Sequence, residues 1–302
     1  MVRKIWAAAL ILFVAAPAAA PLAAQAGPAP DPRVAEFLTQ CEGRDGWSDP
    51  APPFYLFGNT YGVGTCGMNA LLVVSDEGLV LVDAGTTEAA PIVAENIKRL
   101  GFALSDVKWI VNSHEHWDHA GGIGPLQKMT GAKVAALAEA KTALESGKHN
   151  PIDPQGDDHP PFDKIRVDRV LADGDTVKLG ALTLTAHATP AHSPGSTSWT
   201  WQSCEGSACL TVTYADSAST ISTDTYRFSD HPDYVANVRH GLDKIGALDC
   251  DILVTPHPSA SSVYERLAVR KLVDSNACRT YSDKAKQAFD ARLASEAEQT
   301  AR

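Results

Sequence analysis

Within seven residues, Ser113-His114-Glu115-His116-Trp117-Asp118-His119, the chain places three imidazoles and two carboxylates. Imidazole nitrogens and carboxylate oxygens are common protein donors to zinc, which takes about four ligands. The run holds enough donors for more than one ion. In an extended chain His114 and His116 point the same way, while Asp118 and His119 turn in from the loop beyond them. The segment can therefore offer ligands to two adjacent zinc ions. Such ions lower the pKa of water from 15.7 toward about 7, so metal-assisted hydrolysis is the chemistry to expect.

Two further histidines stand at comparable places. His192 follows an apolar strand pattern ending at Ala188, and His257 follows one ending at Thr255. Strand ends are where α/β folds assemble their sites. Pro190, Pro194 and Gly195 shape the turn around His192, and Pro256 and Pro258 the turn around His257. Both are candidate metal ligands. His149, His159, His187, His231 and His240 lack such company and are expected in ordinary structural roles, with His149 and His159 bordering a long loop.

The elements that must present these residues are legible from periodicity. Leu71 to Val74, Asp76-Glu77-Gly78 and Leu79 to Val82 read as a β-hairpin running into Asp83-Ala84-Gly85. Buried-strand patterns follow at Val107 to Val111 and Val134 to Ala136. Later strands are expected at Lys164 to Leu171, Thr176 to Leu179, Leu182 to Ala188, Ser196 to Gln202, Leu210 to Tyr214 and Ile252 to Thr255. Helical patterns cover Val34 to Cys41, Ala89 to Leu100, Gly121 to Thr130, Ala138 to Ser146, Tyr234 to Gly246 and Asp283 to Glu298. Between His149 and Phe162 the prolines and aspartates show no apolar period, which marks a long loop. Strands and helices recur twice in similar order without a Gly/Ser linker, so the chain reads as α/β with two sheets between helical layers.

Arg3 and Lys4 precede an apolar run and small residues ending in Ala24-Gln25-Ala26, the pattern of a secretory signal peptide. Pro17 and Pro21 interrupt the run, against a membrane span. Cleavage is expected after Ala26, with Ala20 closing a second small-x-small triplet. This leaves 27–302 as a single domain in the periplasm, without a membrane anchor. The net charge of −10 becomes more negative by two once Arg3 and Lys4 leave, which disfavours nucleic acid as a partner. The six cysteines, Cys41, Cys66, Cys204, Cys209, Cys250 and Cys278, form an even set suited to disulfides in an oxidising compartment. Cys204 and Cys209 flank a hairpin turn, which a bridge between them would clamp; the remaining pairings stay open.

The H-x-H-x-D-H run and the two later histidines resemble the metallo-β-lactamase fold superfamily over roughly Tyr55 to Pro258. That resemblance implies a four-layer αβ/βα sandwich with the site at one edge, and gives Asp83 the part of an acid that braces the metal loop from behind. Within the superfamily the chain is most similar to the subclass B3 enzymes. His192-Ser193-Pro194-Gly195-Ser196-Thr197-Ser198-Trp199 resembles their H-T-P-G-S-T-S-W segment, with Ser193 in place of Thr. Tyr214-Ala215-Asp216-Ser217-Ala218-Ser219 resembles a stretch containing A-D-S-L-S, with Ala218 in place of Leu. Thr255-Pro256-His257-Pro258 resembles the region of the last ligand.

The resemblance implies two Zn²⁺ ions, one on His114, His116 and His192 and the other on Asp118, His119 and His257. It implies catalytic help from Asp118, substrate contacts from Ser217 and Ser219, and pairs Cys41–Cys66, Cys204–Cys209 and Cys250–Cys278. The activity implied is hydrolysis of the β-lactam amide by activated water, conferring antibiotic resistance, in a chain expected to be a monomer. Gln155 and Phe162 on the long loop, and Trp47, are candidates for the groove walls. The alternative is another exported hydrolase of the same fold: a lactonase, thioesterase or phosphodiesterase. Asp216 discriminates, since in many of those relatives an aspartate near this position bridges the metals. A non-catalytic zinc-binding protein is a further reading, and predicts closed coordination.

Overall fold

The computed structural model describes residues 31–300, so the signal-peptide expectation lies outside the described residues. Among the described residues no helix is long and apolar enough to cross a membrane. Among the described residues twelve strands form two sheets. The first contains β1 (Phe54–Phe57), β2 (Thr60–Gly62), β3 (Leu71–Ser75), β4 (Gly78–Val82), β5 (Val107–Val111), β6 (Lys133–Leu137) and β7 (Arg169–Leu171), in that order. Its β1–β4 side is antiparallel, whereas β4 to β7 are parallel, each joined to the next through helical connections or longer excursions. The second sheet runs β12-β11-β10-β9-β8, with β8 (Thr176–Leu179), β9 (Leu182–Ala188), β10 (Thr197–Glu205), β11 (Ala208–Tyr214) and β12 (Ile252–Val254).

Alternation along the strands explains the layering. Val80 and Val82 of β4 face Trp199, Val212 and Tyr214 of the other sheet in one buried core. Leu79 and Leu81, on the opposite face of β4, pack with Val93, Ile97, Ile123 and Leu126 from helices Ala90–Arg99 and Ile123–Thr130. Outside the second sheet, Leu253 packs with Val238, Leu242 and Ile245 of helix Pro232–Ala247 and with Phe289 of helix Ala277–Thr300. The result is the expected α/β sandwich of helices, sheet, sheet and helices. Disulfides join Cys41 to Cys66, Cys204 to Cys209 and Cys250 to Cys278, and no described cysteine is free.

Differences from the sequence expectations are local. Only Arg169–Leu171 of the expected Lys164-to-Leu171 strand pairs as one. The residues before it make isolated bonds instead, Ile165 N–H to Leu144 O and Asp168 N–H to Val134 O. The hairpin of β1 and β2, and short helices Trp117–Ala120, Pro258–Ser261 and Val263–Ala268, add to the expected elements.

Candidate metal centre

The site lies where strand ends of the two sheets meet. Beyond β5 the chain bends at Ser113, Glu115 and His116, the last with φ −74° and ψ 153°, then closes a single helical turn at Trp117–Ala120. The His114 and His116 rings converge, their centres 4.7 Å apart, while Glu115 points to the turn that carries His192. The turn swings Asp118 and His119 back, with the His119 amide bonded to His116 O. From the other sheet, the β9–β10 connection delivers His192 and the residue run after β12 delivers His257.

Donor atoms of His114, His116 and His192 lie within 4.8 Å of one another, and so do those of His114, Asp118 and His119. His257 completes the second group from its open side. Its Nε2 is 3.3 Å from Asp118 Oδ2 and its ring 5.0 Å from that of His119, with the side chain 30% exposed. All six expected residues therefore meet in one place.

Four of the histidines have a group behind them. Asp216 Oδ1 accepts from His114 Nδ1 at 2.8 Å, Asp153 Oδ2 from His116 Nε2 at 2.6 Å, and the Ser219 carbonyl from His192 Nδ1 at 2.7 Å. Asp83 reaches Ser113 through both carboxylate oxygens, lies 3.4 Å from His119 Nδ1, and takes a contact from the Tyr214 hydroxyl at 2.9 Å. These bonds fix ring orientation and leave a particular nitrogen pointing inward.

Burial pushes the pKa of His114 well down and that of His192 down to about 3. Both rings are thereby neutral, with a lone pair to give. Burial opposes charge on His119 too, but the adjacent Asp118 carboxylate overrides it and lifts His119 to about 10. Burial raises Asp216 to about 7.

Several buried polar atoms here have no hydrogen-bond partner: His114 Nε2, His116 Nδ1 and Asp118 Oδ1 among them, and both ring nitrogens of His119, which have only carboxylates at ion-pair distance. A buried unsatisfied polar atom costs about 1–3 kcal/mol, so a cluster of them needs an occupant. Convergent imidazole and carboxylate donors suit divalent zinc. The residues fit a metal.

Of the other expected contacts, Ser219 sits on His192, and Ser217 is buried beside Asp216. The Trp47 ring lies 5.5 Å from that of His257 and 6.2 Å from Trp117, at the rim. Gln155 Nε2 is 3.3 Å from His192 Nε2, whereas Phe162 packs into the helical layer outside the first sheet.

Three residues acquire roles that sequence reasoning did not assign. Glu115 is buried and accepts from Ser193 Oγ at 2.8 Å and the Gly195 amide at 3.0 Å, tying the metal loop to the His192 turn. Its place between two histidines expected to point the same way is the signal in the sequence that it faces elsewhere. Asp153 holds His116, and the His159 ring stacks on the His116 ring at 4.2 Å. No local pattern marks either, since both depend on how the long loop folds back.

Residues 63–205 match the family model of the metallo-beta-lactamase superfamily. The chain is 55% identical to a metallo-β-lactamase of Novosphingobium pentaromativorans of known structure, covering 87% of this chain and 98% of that one with a TM-score of 0.86. It is 41% identical to a subclass B3 metallo-β-lactamase from a soil metagenome library, covering 84% of this chain and all (100%) of that one, with a TM-score of 0.81. A curated relative, a hydroxyacylglutathione hydrolase of Methylobacterium nodulans, is 33% identical over 122 residues, 38% of this chain; the chain spans only 39% of that relative's length.

Proposed function

Because the chain belongs to the metallo-β-lactamases, with subclass B3 enzymes among its structural relatives, we propose that it is a zinc-dependent β-lactamase that opens the amide bond of β-lactam antibiotics. The observation that carries this reading is the meeting of two donor groups drawn from both sheets, each with buried atoms that lack hydrogen-bond partners.

His114, His116 and His192 would hold one Zn²⁺, and Asp118, His119 and His257 a second. Bound there, the ions supply a water activated at neutral pH and polarise the amide carbonyl. Asp118 Oδ1, buried and without a hydrogen-bond partner, would orient that water and accept its proton. Asp83 holds the loop that carries Asp118 and His119, through Ser113 and beside His119. Ser217 and Ser219 are the groups for the substrate carboxylate. Attraction of that anion is local, since the chain itself is acidic.

The same-fold alternative, a lactonase, thioesterase or phosphodiesterase, draws on an aspartate bridging the metals. Asp216 Oδ1 instead serves His114 Nδ1, on the side away from the inward-facing Nε2, which supports the lactamase reading. The reading extends to export through a signal peptide over residues 1–26, a periplasmic location, a monomer of 27–302 and antibiotic resistance. Three disulfides and the absence of a membrane-crossing helix among the described residues are compatible with that location. Purified protein should hydrolyse a chromogenic cephalosporin and a carbapenem, and lose that turnover on chelation. No chelator-sensitive turnover of either would overturn the proposal.

A further inference from the structure

We propose that Asp153 is a positioning residue that couples metal loading of the His114, His116 and His192 group to the conformation of the loop across it. The inference rests on that group holding zinc, as proposed above.

Asp153 is buried, and its two oxygens do different things. Oδ2 accepts from His116 Nε2 at 2.6 Å, and Oδ1 accepts the Gln155 amide at 2.8 Å. A carboxylate can only accept, so the His116 proton must sit on Nε2 and its lone pair on Nδ1. Nδ1 is the buried atom without a partner. His114 and His192 are held the other way round, through Nδ1, by Asp216 and by Ser219 O. Within this group of three, His116 alone must present Nδ1, and Asp153 is what enforces that tautomer.

The second bond shapes the turn Asp153-Pro154-Gln155. That turn brings Gln155 Nε2 to within 3.3 Å of His192 Nε2 and Gln155 Oε1 to 3.2 Å from His159 Nε2. The His159 ring in turn stacks on His116 with an interplanar angle of 23°. Loop and ligands thus share one carboxylate as their common support. Away from the ligands the turn is fastened by the Thr223 amide to Pro154 O at 3.0 Å. If the Asp153 carboxylate leaves His116, the turn that places Gln155 and His159 loses its anchor. By linkage, a metal that fixes His116 steadies the Asp153 end of the turn and is favoured by it in the same measure, while the side-chain amide of Gln155 must turn away from His192 Nε2 when that nitrogen takes the metal.

The test uses metal binding and loop exchange rather than turnover. Metal-stripped wild type, Asp153→Ala and Asp153→Asn are titrated with Zn²⁺ against a chromogenic chelator and with Co²⁺ followed by absorption. Amide hydrogen exchange of the Asp153-to-His159 segment is measured with and without Zn²⁺. Removing a residue that orients a metal-bound histidine typically lowers affinity about 10–100-fold. Asp153→Ala is expected to weaken one zinc site by that factor, leave the other within about twofold and alter the Co²⁺ spectrum. Zinc should slow exchange at the Gln155 amide in wild type and no longer do so in Asp153→Ala. Asp153→Asn keeps one acceptor oxygen and is expected between the two, carrying the test if Asp153→Ala does not fold. Unchanged zinc affinity, equal weakening of both sites, or loop exchange indifferent to zinc in wild type would overturn the proposal. The site-selective effect in a protein that turns over no β-lactam supports this coupling while removing the proposed function.

Discussion

Asp83 and Ser113 are joined twice: Asp83 Oδ1 accepts the Ser113 amide and Oδ2 its hydroxyl, both at 2.6 Å. The two residues follow the ends of β4 and β5, which are parallel neighbours, so the link locks one strand end to the loop carrying the ligands. Asp83 has a φ of 60°, an uncommon conformation for a non-glycine residue that the surrounding bonds must maintain.

Replacing Asp83 by Ala leaves the buried Ser113 amide and hydroxyl without that acceptor. At about 1–3 kcal/mol for each unsatisfied group, a loss of roughly 2–6 kcal/mol in unfolding free energy is expected. Urea denaturation measures it, and a midpoint equal to wild type would refute the bracing role.

Glu115 offers a second case. Glu115→Ala strips the acceptor from Ser193 Oγ and the Gly195 amide. A loss of about 2–4 kcal/mol is expected. Gly195→Ala acts on the same seam by crowding, since a Cβ there would lie 2.5 Å from Glu115 Oε2 and 2.6 Å from Ala140 Cβ. Overpacking of that kind costs about 1–3 kcal/mol. Thermal melts of both variants should fall below wild type, with Gly195→Ala showing the smaller drop.

Metal removal should lower stability as well as activity. A ligand at 100 times its Kd stabilises the native state by about 2.7 kcal/mol, and a chelator removes that contribution. Histidine and carboxylate donors bind metal only when deprotonated, so protons compete and zinc affinity should fall as pH falls. Calorimetric titration at several pH values reads both the affinity and the protons released. Affinity that rises on acidification would contradict the ligand set.

His257 reaches Asp118 from the exposed side of the site. If two ions bind as proposed, His257→Ala should reduce zinc stoichiometry from two toward one and lower turnover by more than about 100-fold, while leaving the fold intact by circular dichroism. Full stoichiometry in the variant would remove His257 from the second group.

The disulfides should differ in worth. Cys250 and Cys278 are 28 residues apart, and Cys204 and Cys209 only 5. Loop-closure entropy assigns about 3.6 kcal/mol to the longer loop and about 2 to the shorter. Paired Cys→Ser variants compared by denaturant midpoint should show that order.

Much of the site was legible because its information is local. The His114-to-His119 run carries four of the six donors in consecutive sequence, and the strands preceding His192 and His257 are strongly apolar. Helix Ala138–Ser146 and strand β9 fall where periodicity puts them. The β1–β2 hairpin was not anticipated, because Phe54 to Gly62 is short and follows the prolines at 50, 52 and 53. The bonds of Asp153, Glu115 and Asp216 to ligands or their loops were illegible for another reason. Each joins residues 37 to 102 positions apart, and no pattern along the chain encodes which carboxylate meets which imidazole or turn.

Each donor group takes residues from beyond β5 in one sheet and from the β9–β10 connection or beyond β12 in the other. A bound cation thus rivets the two halves of the sandwich along their seam. Pulling the sheets apart would require releasing it, so metal supply should govern how long the folded chain survives proteolysis as well as how fast it works. Zinc starvation would then act on this protein twice, silencing it first and exposing it to degradation afterwards.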